Sequence, residues 1–566
     1  MKWRLTFLAM LSTIVLLSSA SARNSVRTHS PKPFMLSRLP YEVGPVKPTQ
    51  PVGLDDYWNV RVNSDTTTQI QNEEQIALNP MATSNLVAVW RDFRYGYRRV
   101  GYGTSSDHGV TWSDQLFPQY TYPWQSDPGI TFNRDGVFFS VMVSYDPAEG
   151  GEDGIMVVKS DDNGQTWSEP TAVVDSVVNQ FEDKELMACD RTMGQSAGNL
   201  YVSWTPFYGQ SPWYDSTHIM ISASYDSGLS FEAPLIISDQ PAVQWSVPAV
   251  GADGQVYVAW ISYDPGSIKF DRSFDQGHTW GQDSYVHYVD FVAGYINGNL
   301  YTFSFPAMDV DIFDTPWHGR IYIAYADYRE GGDDLDIYMT TSDDDGYNWS
   351  TPVAINDMLT YPFIDQFHPW TSVDTNGVVT VVFYDRRNDP NNLLMDLYFT
   401  QSTDGGETWS INQRITTVSS DPTAGSRAGL IGEYVGLISW DGVPYTAWTD
   451  TRNGNQDVFA SALDSTITTV PITKDPLQIP LSIELQAYPN PFNPTTILSF
   501  ILPEAGQASV KIYDVTGRKV TDLVDGCWEP GLHRQLWDAS HLASGIYFAR
   551  LHTVRSDVVR KLLLVK

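Results

Sequence analysis

Between residues 55 and 465 the chain is written in short runs of alternating apolar and polar residues, each closed by a turn signal. Ile321-Tyr322-Ile323-Ala324-Tyr325 leads through a loop to Asp336-Ile337-Tyr338-Met339-Thr340, and Val378-Val379-Thr380-Val381-Val382-Phe383 leads in the same way to Asp396-Leu397-Tyr398-Phe399-Thr400. A period of two with β-branched and aromatic residues predicts half-buried strands, and their recurrence predicts many short ones. A seventh unit, Tyr445-Thr446-Ala447-Trp448 and then Asp457-Val458-Phe459-Ala460-Ser461, keeps the frame but loses its closing turn. Its missing outer strand is supplied in this reading by Asn59-Val60-Arg61-Val62-Asn63.

The closing turn is itself a repeat. Ser105-Ser106-Asp107-His108-Gly109-Val110-Thr111-Trp112 recurs as the stretches beginning at Ser160, Ser224, Ser273, Ser342 and Ser402. Their terminal aromatics, Trp112, Trp167, Phe231, Trp280, Trp349 and Trp409, lie 55, 64, 49, 69 and 60 residues apart. In such a turn the Asp accepts backbone amides, the Gly takes a positive φ and the hydroxyls fasten the loop. A supersecondary unit repeating at this interval predicts an all-β chain, a seven-bladed β-propeller followed by a small β-sandwich. Six blades with a stray hairpin is the competing arrangement.

The two ends differ from the middle. Lys2 and Arg4 precede a mostly apolar run over residues 5–17, and Ala20-Ser21-Ala22 follows, as in a secretory signal peptide. That run is too short to span a bilayer as a helix, and no later stretch is a transmembrane candidate. The expected organisation is a signal peptide over 1–22, an N-terminal extension over 23–54, the propeller over 55–465, a linker over 466–482 and a C-terminal domain over 483–566.

The formal charge is -32, from 35 Lys+Arg against 67 Asp+Glu, and residues 481–566 are nearly neutral. The acidity therefore lies in the large domain, and its field opposes nucleic acid. It is compatible with calcium, with a neutral glycan or with simple solubility; no cofactor is required. Cys189 and Cys527 stand far apart and in different expected domains, so a bridge between them is not expected.

The acidic turns and the first-to-second turns should share one rim, which sends chemistry to the opposite rim. There four loops begin alike, with Trp90-Arg91-Asp92-Phe93-Arg94, Tyr325-Ala326-Asp327-Tyr328-Arg329, Phe383-Tyr384-Asp385-Arg386-Arg387 and Trp448-Thr449-Asp450-Thr451-Arg452. Arg94, Arg329, Arg387 and Arg452 form a candidate arc for a ligand carboxylate, which a guanidinium fork fits. The competing role is to pin each loop to its neighbour. Irregular stretches between blades hold the remaining candidates: Asp127, Asp183, Glu185, His368, Glu433 and Tyr434. Trp124, Trp245 and Trp370 either stack on sugar rings or pack blades. Asp127 and Asp183 either cap a strand or hold calcium.

Two resemblances follow. Tyr488-Pro489-Asn490-Pro491-Phe492-Asn493-Pro494, Val510-Lys511-Ile512-Tyr513-Asp514-Val515-Thr516-Gly517-Arg518 and the closing Lys-Leu-Leu-Leu-Val-Lys resemble the sorting domain of the type IX secretion system. This implies passage across the outer membrane, with that machinery as a partner and a secreted or cell-surface location. The recurrent turns resemble those of the BNR/Asp-box superfamily, which includes sialidases. That resemblance implies a sialidase-like glycoside hydrolase with Arg94, Arg387 and Arg452 as carboxylate clamp, Tyr434 as nucleophile, Glu433 or Glu185 as its partner and Asp127 as acid/base. The first-blade Arg-Ile-Pro motif of sialidases is absent. The alternative is a non-catalytic propeller that binds surface glycans or proteins.

Overall fold

The computed structural model describes residues 59–463 and 484–565, apart from 149–150, 178–179, 211–212, 329–331, 333, 358–363, 425–429, 489, 491, 503–505, 529–530 and 554–556. The expected signal peptide, N-terminal extension and linker lie outside these residues, as does Arg329. The chain divides into two compact units, Met1–Pro471 and Ile472–Lys566.

In the large unit, antiparallel sheets follow one another along the chain. Their first strands are Gln71–Leu78, Trp124–Phe132, Gln180–Cys189, Val243–Val250, Ala307–Val310, Gln366–Val373 and Gly436–Trp440. Six sheets have four strands in simple order, each strand paired with the next, because short turns join neighbours. In the last of these the fourth strand is Val60–Arg61, which pairs with Asp457–Ala462 through Val60↔Ala460 and Arg61↔Phe459. Successive first strands pack against one another, and Gly436–Trp440 packs on Gln71–Leu78.

The expectation of a seven-bladed β-propeller is corrected here. Among the described residues each sheet is open and bounded by two edges, and none closes on itself. The unit is an all-β array of separate antiparallel sheets. The third sheet carries a fifth strand, Trp213–Thr217, and a separate hairpin of Ala293–Ile296 and Leu300–Phe303 stands between the fourth and fifth. Alternation and turn residues specify pairing between chain neighbours, which is local. They contain no term for closure, which the expectation took from the interval of the repeat and from the outer strand supplied by residues 59–63.

The recurrent acidic turns are held by their own side chains. In the fourth sheet Asp275 accepts from Thr279 N at 2.8 Å, Thr279 Oγ1 at 2.6 Å and Ser273 Oγ at 2.7 Å, while Gly277 N donates to Ser273 Oγ at 2.9 Å. Gly277 has φ +87°, which a side chain would resist. Between sheets lie buried side chains such as Trp90, Trp204, Trp260 and Trp448.

The C-terminal unit has two antiparallel sheets, Glu484–Tyr488, Thr495–Leu502 and Gly531–Asp538 in one, Lys519–Trp528, Gly506–Asp514, Gly545–Thr553 and Asp557–Leu564 in the other. Leu498 and Phe500 from the first share a core with Val510, Ile512, Leu551 and Leu562 from the second.

Asp275→Ala should destabilise the large unit by about 1–2 kcal/mol in urea unfolding, because three donors lose their acceptor. Phe274→Ser in the same turn should cost under about 0.5 kcal/mol, since Phe274 is 57% exposed.

Candidate functional site

The turns after the first strands meet the acidic turns: Asn79 Nδ2 donates to Asn163 Oδ1 at 2.7 Å, and Gln255 Nε2 to Asp345 Oδ1 at 3.2 Å. The first strands therefore begin at the other end of the sheets. There five of them are bulged, with register shifts between Asn72/Gln75, Ser126/Gly129, Asp183/Leu186, Gln244/Val247 and Phe367/Trp370. In each bulge one non-glycine residue takes a positive φ: Glu73 (62°), Asp127 (51°), Lys184 (59°), Trp245 (55°) and His368 (50°). A bulge re-aims a side chain that the regular pleat would turn elsewhere, at a conformational cost of order 1 kcal/mol or more.

Four of these bulges converge. Lys184 Nζ lies 2.5 Å from Asp127 Oδ1, 2.8 Å from Glu433 Oε2 and 3.7 Å from Glu73 Oε1. Arg91 Nη2 reaches the same Glu73 Oε1 at 2.8 Å, and Trp245 Nε1 donates to Glu433 Oε2 at 3.1 Å. All six side chains are buried. Gly432 allows Glu433 to approach: its φ is +94°, and a Cβ there would stand 2.9 Å from Glu73 N. His368 lies to one side, its Nε2 2.8 Å from Thr302 Oγ1 of the inserted hairpin, whose Phe303 packs on Trp245 at 4.4 Å between centroids.

The common burial drives these carboxyls apart. Burial opposes ionisation of Asp127, yet Lys184 and Arg91 outweigh it and hold its pKa well below the usual carboxylate range. For Glu73 burial wins over Arg91 and raises the pKa well above it. Glu185 is raised by burial and then by Asp127. Burial also raises the Tyr434 phenol, with Glu73 and Asp127 adding to it, and Tyr434 donates to Pro128 O at 3.2 Å.

Sequence reasoning named Asp127, Glu433, Tyr434, Glu185 and Trp245, and the structure gathers them around this cluster. It missed the roles of Lys184, Glu73 and Arg91. Glu73 sits in Gln-Asn-Glu-Glu-Gln before an apolar strand, just as Asp127 does, but without the following proline that marks Asp127-Pro128 and His368-Pro369 as bulges.

The arginines are placed elsewhere. Arg94 holds Asp92 Oδ2 at 2.8 Å and Asp114 Oδ2 at 2.8 Å; Arg387 holds Asp385 Oδ2 at 2.7 Å and Asp357 Oδ1 at 2.5 Å; Arg452 holds Asp450 Oδ2 at 2.7 Å and Asn59 Oδ1 at 2.8 Å. Each fork spans its own loop aspartate and a residue near an outer strand. These three do not converge on one carboxylate position. Trp245 is fully buried, whereas Trp124 and Trp370 are half-buried; Trp370 packs on Phe305 and Tyr434. Asp183 accepts from Gln244 Nε2 at 3.2 Å.

Beyond the cluster, towards the acidic turns, a cavity of about 120 Å³ is lined by the first strands, with Leu186, Val247, Met308 and Leu437 on its wall and Arg191 and Asp309 beside them. Among the described residues no group of three or more His, Cys, Asp or Glu is arranged to hold a metal ion. No helix among them is long and apolar enough to cross a membrane.

Residues 486–566 match the secretion system C-terminal sorting domain family. No curated protein matches the chain. Solved structures similar to it include a protein of unknown function from Dyadobacter fermentans, with 16% identity, 58% of this chain and 93% of that one covered and a TM-score of 0.39. The Penicillium chrysogenum alpha-L-arabinanase complexed with arabinobiose has 12% identity, 74% and 100% coverage and a TM-score of 0.40. A point mutant of the NanB sialidase from Streptococcus pneumoniae has 14% identity, 73% and 72% coverage and a TM-score of 0.39. Likeness at this level assigns no activity.

Lys184→Met should destabilise the large unit by about 3–5 kcal/mol in urea unfolding, because it leaves Asp127 and Glu433 buried without their cation. A second outcome concerns pH. Burial, aided by Glu182, raises Asp153 to about 8; burial raises Glu182 and Asp183 to about 7 each. The folded state then holds protons that the unfolded chain has released, so stability falls as pH rises through 6.5–8.5. His368, which burial lowers to about 3, acts in the opposite sense but only below its unfolded value near 6.5. The thermal midpoint should fall between pH 6.5 and 8.5, and Asp153→Asn should flatten that slope.

Proposed function

We propose that the chain is an exported, surface-directed protein that processes glycans, with its chemistry at the bulged ends of the first strands. One arrangement carries this reading: the Asp127, Glu433 and Glu73 carboxyls meet around Lys184 Nζ at 2.5, 2.8 and 3.7 Å, and burial and charge there drive Asp127 towards the ionised form and Glu73 and Glu185 towards the protonated one. Glycosidic bond hydrolysis uses such a division, one carboxylate as base or nucleophile and one carboxylic acid as proton donor. Export rests on the sorting domain, and type IX secretion machinery is the partner this implies.

The finer sialidase reading has less support. Its clamp would need free guanidinium groups, and Arg94, Arg387 and Arg452 already hold their own loop aspartates. Its nucleophile would need an activated phenol, whereas Tyr434 is pushed towards the neutral form. Non-catalytic glycan binding is the second reading, favoured by the burial and mutual neutralisation of Asp127, Lys184 and Glu433.

The test is release of aryl aglycone from a panel of aryl glycosides, an aryl sialoside included, by the mature chain from pH 4 to 8. Hydrolysis of any member, reduced at least about 100-fold in kcat by Asp127→Asn, supports the enzyme. Absence of release from every member would leave the binding reading in its place.

A further inference from the structure

The end of the sheets that carries the bulges also carries an aromatic row not used by the cluster. Tyr95 and Tyr97 lie in the loop between the second and third strands of the first sheet, and Trp124 opens the second sheet. Tyr95 and Tyr97 have ring centroids 6.2 Å apart at 34°, and Tyr97 stacks on Trp124 at 6.2 Å and 23°. Trp124 meets Tyr145 edge-on at 5.7 Å, and Tyr145 meets Phe181 at 5.6 Å. The row thus runs from Tyr95, 63% exposed, inwards to buried Tyr145, whose phenol feels the charges of Arg98 and of Asp127 in the cluster.

The charges beside this row decide what it can take. Arg94, next to Tyr95, is committed to Asp92 and Asp114. Tyr122, two residues before Trp124, donates to Asp175 Oδ1 at 2.8 Å and lies 3.3 Å from Glu152 Oε2. Glu152 and Asp175 are themselves exposed, so each keeps acceptor capacity towards solvent. An aromatic row with one exposed end, on a chain segment whose next aromatic, Tyr122, gathers two exposed carboxylates, suits a ligand with C–H faces and hydroxyl donors and no negative charge.

We propose that Tyr95, Tyr97 and Trp124, with Glu152 and Asp175 held close by in the chain through Tyr122, form a binding subsite for a neutral saccharide. This rests on the glycan reading above and narrows it: sugar faces lie on the aromatic row, hydroxyls donate to the two carboxylates, and uronate, sulfated or sialylated chains are disfavoured by the same carboxylates.

The experiment is calorimetric titration of the full chain with neutral gluco-, xylo- and arabino-oligosaccharides, with uronate and sialylated oligosaccharides, and with an aromatic-rich peptide. At least one neutral series should bind, and Tyr95→Ala should weaken it about tenfold with an unchanged thermal midpoint. Trp124→Ala should weaken it further; should that variant misfold, the exposed Tyr95 variant still decides the matter. Neutral binding that is indifferent to Tyr95→Ala overturns this subsite and leaves the glycan reading standing. Binding confined to anionic sugars or to the peptide overturns it as well. A chain that neither binds nor cleaves any glycan sinks both readings.

Discussion

One ammonium group holds the large unit's centre together. Lys184 extends from the third sheet and meets the carboxylates of Asp127, from the second, and Glu433, from the segment that leads into the seventh, with the Glu73 carboxyl of the first beside them. Removing these charges from water is costly, and the arrangement is tolerated because each is matched inside. The bulges are what make the match possible. On an unbroken pleat Glu73, Asp127 and Lys184 would follow the alternation of their strands and face neighbouring sheets. A positive φ at each turns them inwards together.

The arginines illustrate the opposite use of charge. Each is held by the aspartate two residues before it and reaches on to a residue near an outer strand. A guanidinium has enough donors for both tasks, and short outer strands such as Gln413–Arg414 and Val60–Arg61 have few backbone bonds of their own. Recurrence along the sequence followed from this recurrent structural need. The residues that break the repeat, Asp127, Lys184 and Glu433 among them, are those that meet at the centre.

Strand positions and acidic turns could be read from the chain because both are local. Alternation predicts strands at residues 321–325 and 378–383, where the structure has Ile321–Tyr328 and Val379–Asp385, and Asp275 must find donors within its own turn. The arrangement of whole sheets could not be read in this way, and the expected propeller was the part that failed. The site was legible in its unusual stretches and illegible in its pairings. Asp127-Pro128 announces a bulge; Glu73-Glu74 does not, since nothing in its immediate sequence says that a lysine more than a hundred residues later will need it. Tyr434 was read as a reactive phenol from analogy, but the low polarity around it could only be known once its neighbours were placed.

The pairing of Val60–Arg61 with Asp457–Ala462 has a consequence for how the protein is made. Arg61 and Asp457, joined at 2.6 Å, are separated by 396 residues of chain. A polypeptide that emerges from a ribosome or a translocon amino end first must keep that opening segment unattached until almost all of the unit has appeared. Contacts of such long range form slowly. The exporting cell therefore handles a large unit whose first and last strands are mutually dependent, and loss of either strand would leave a sheet edge bare for self-association.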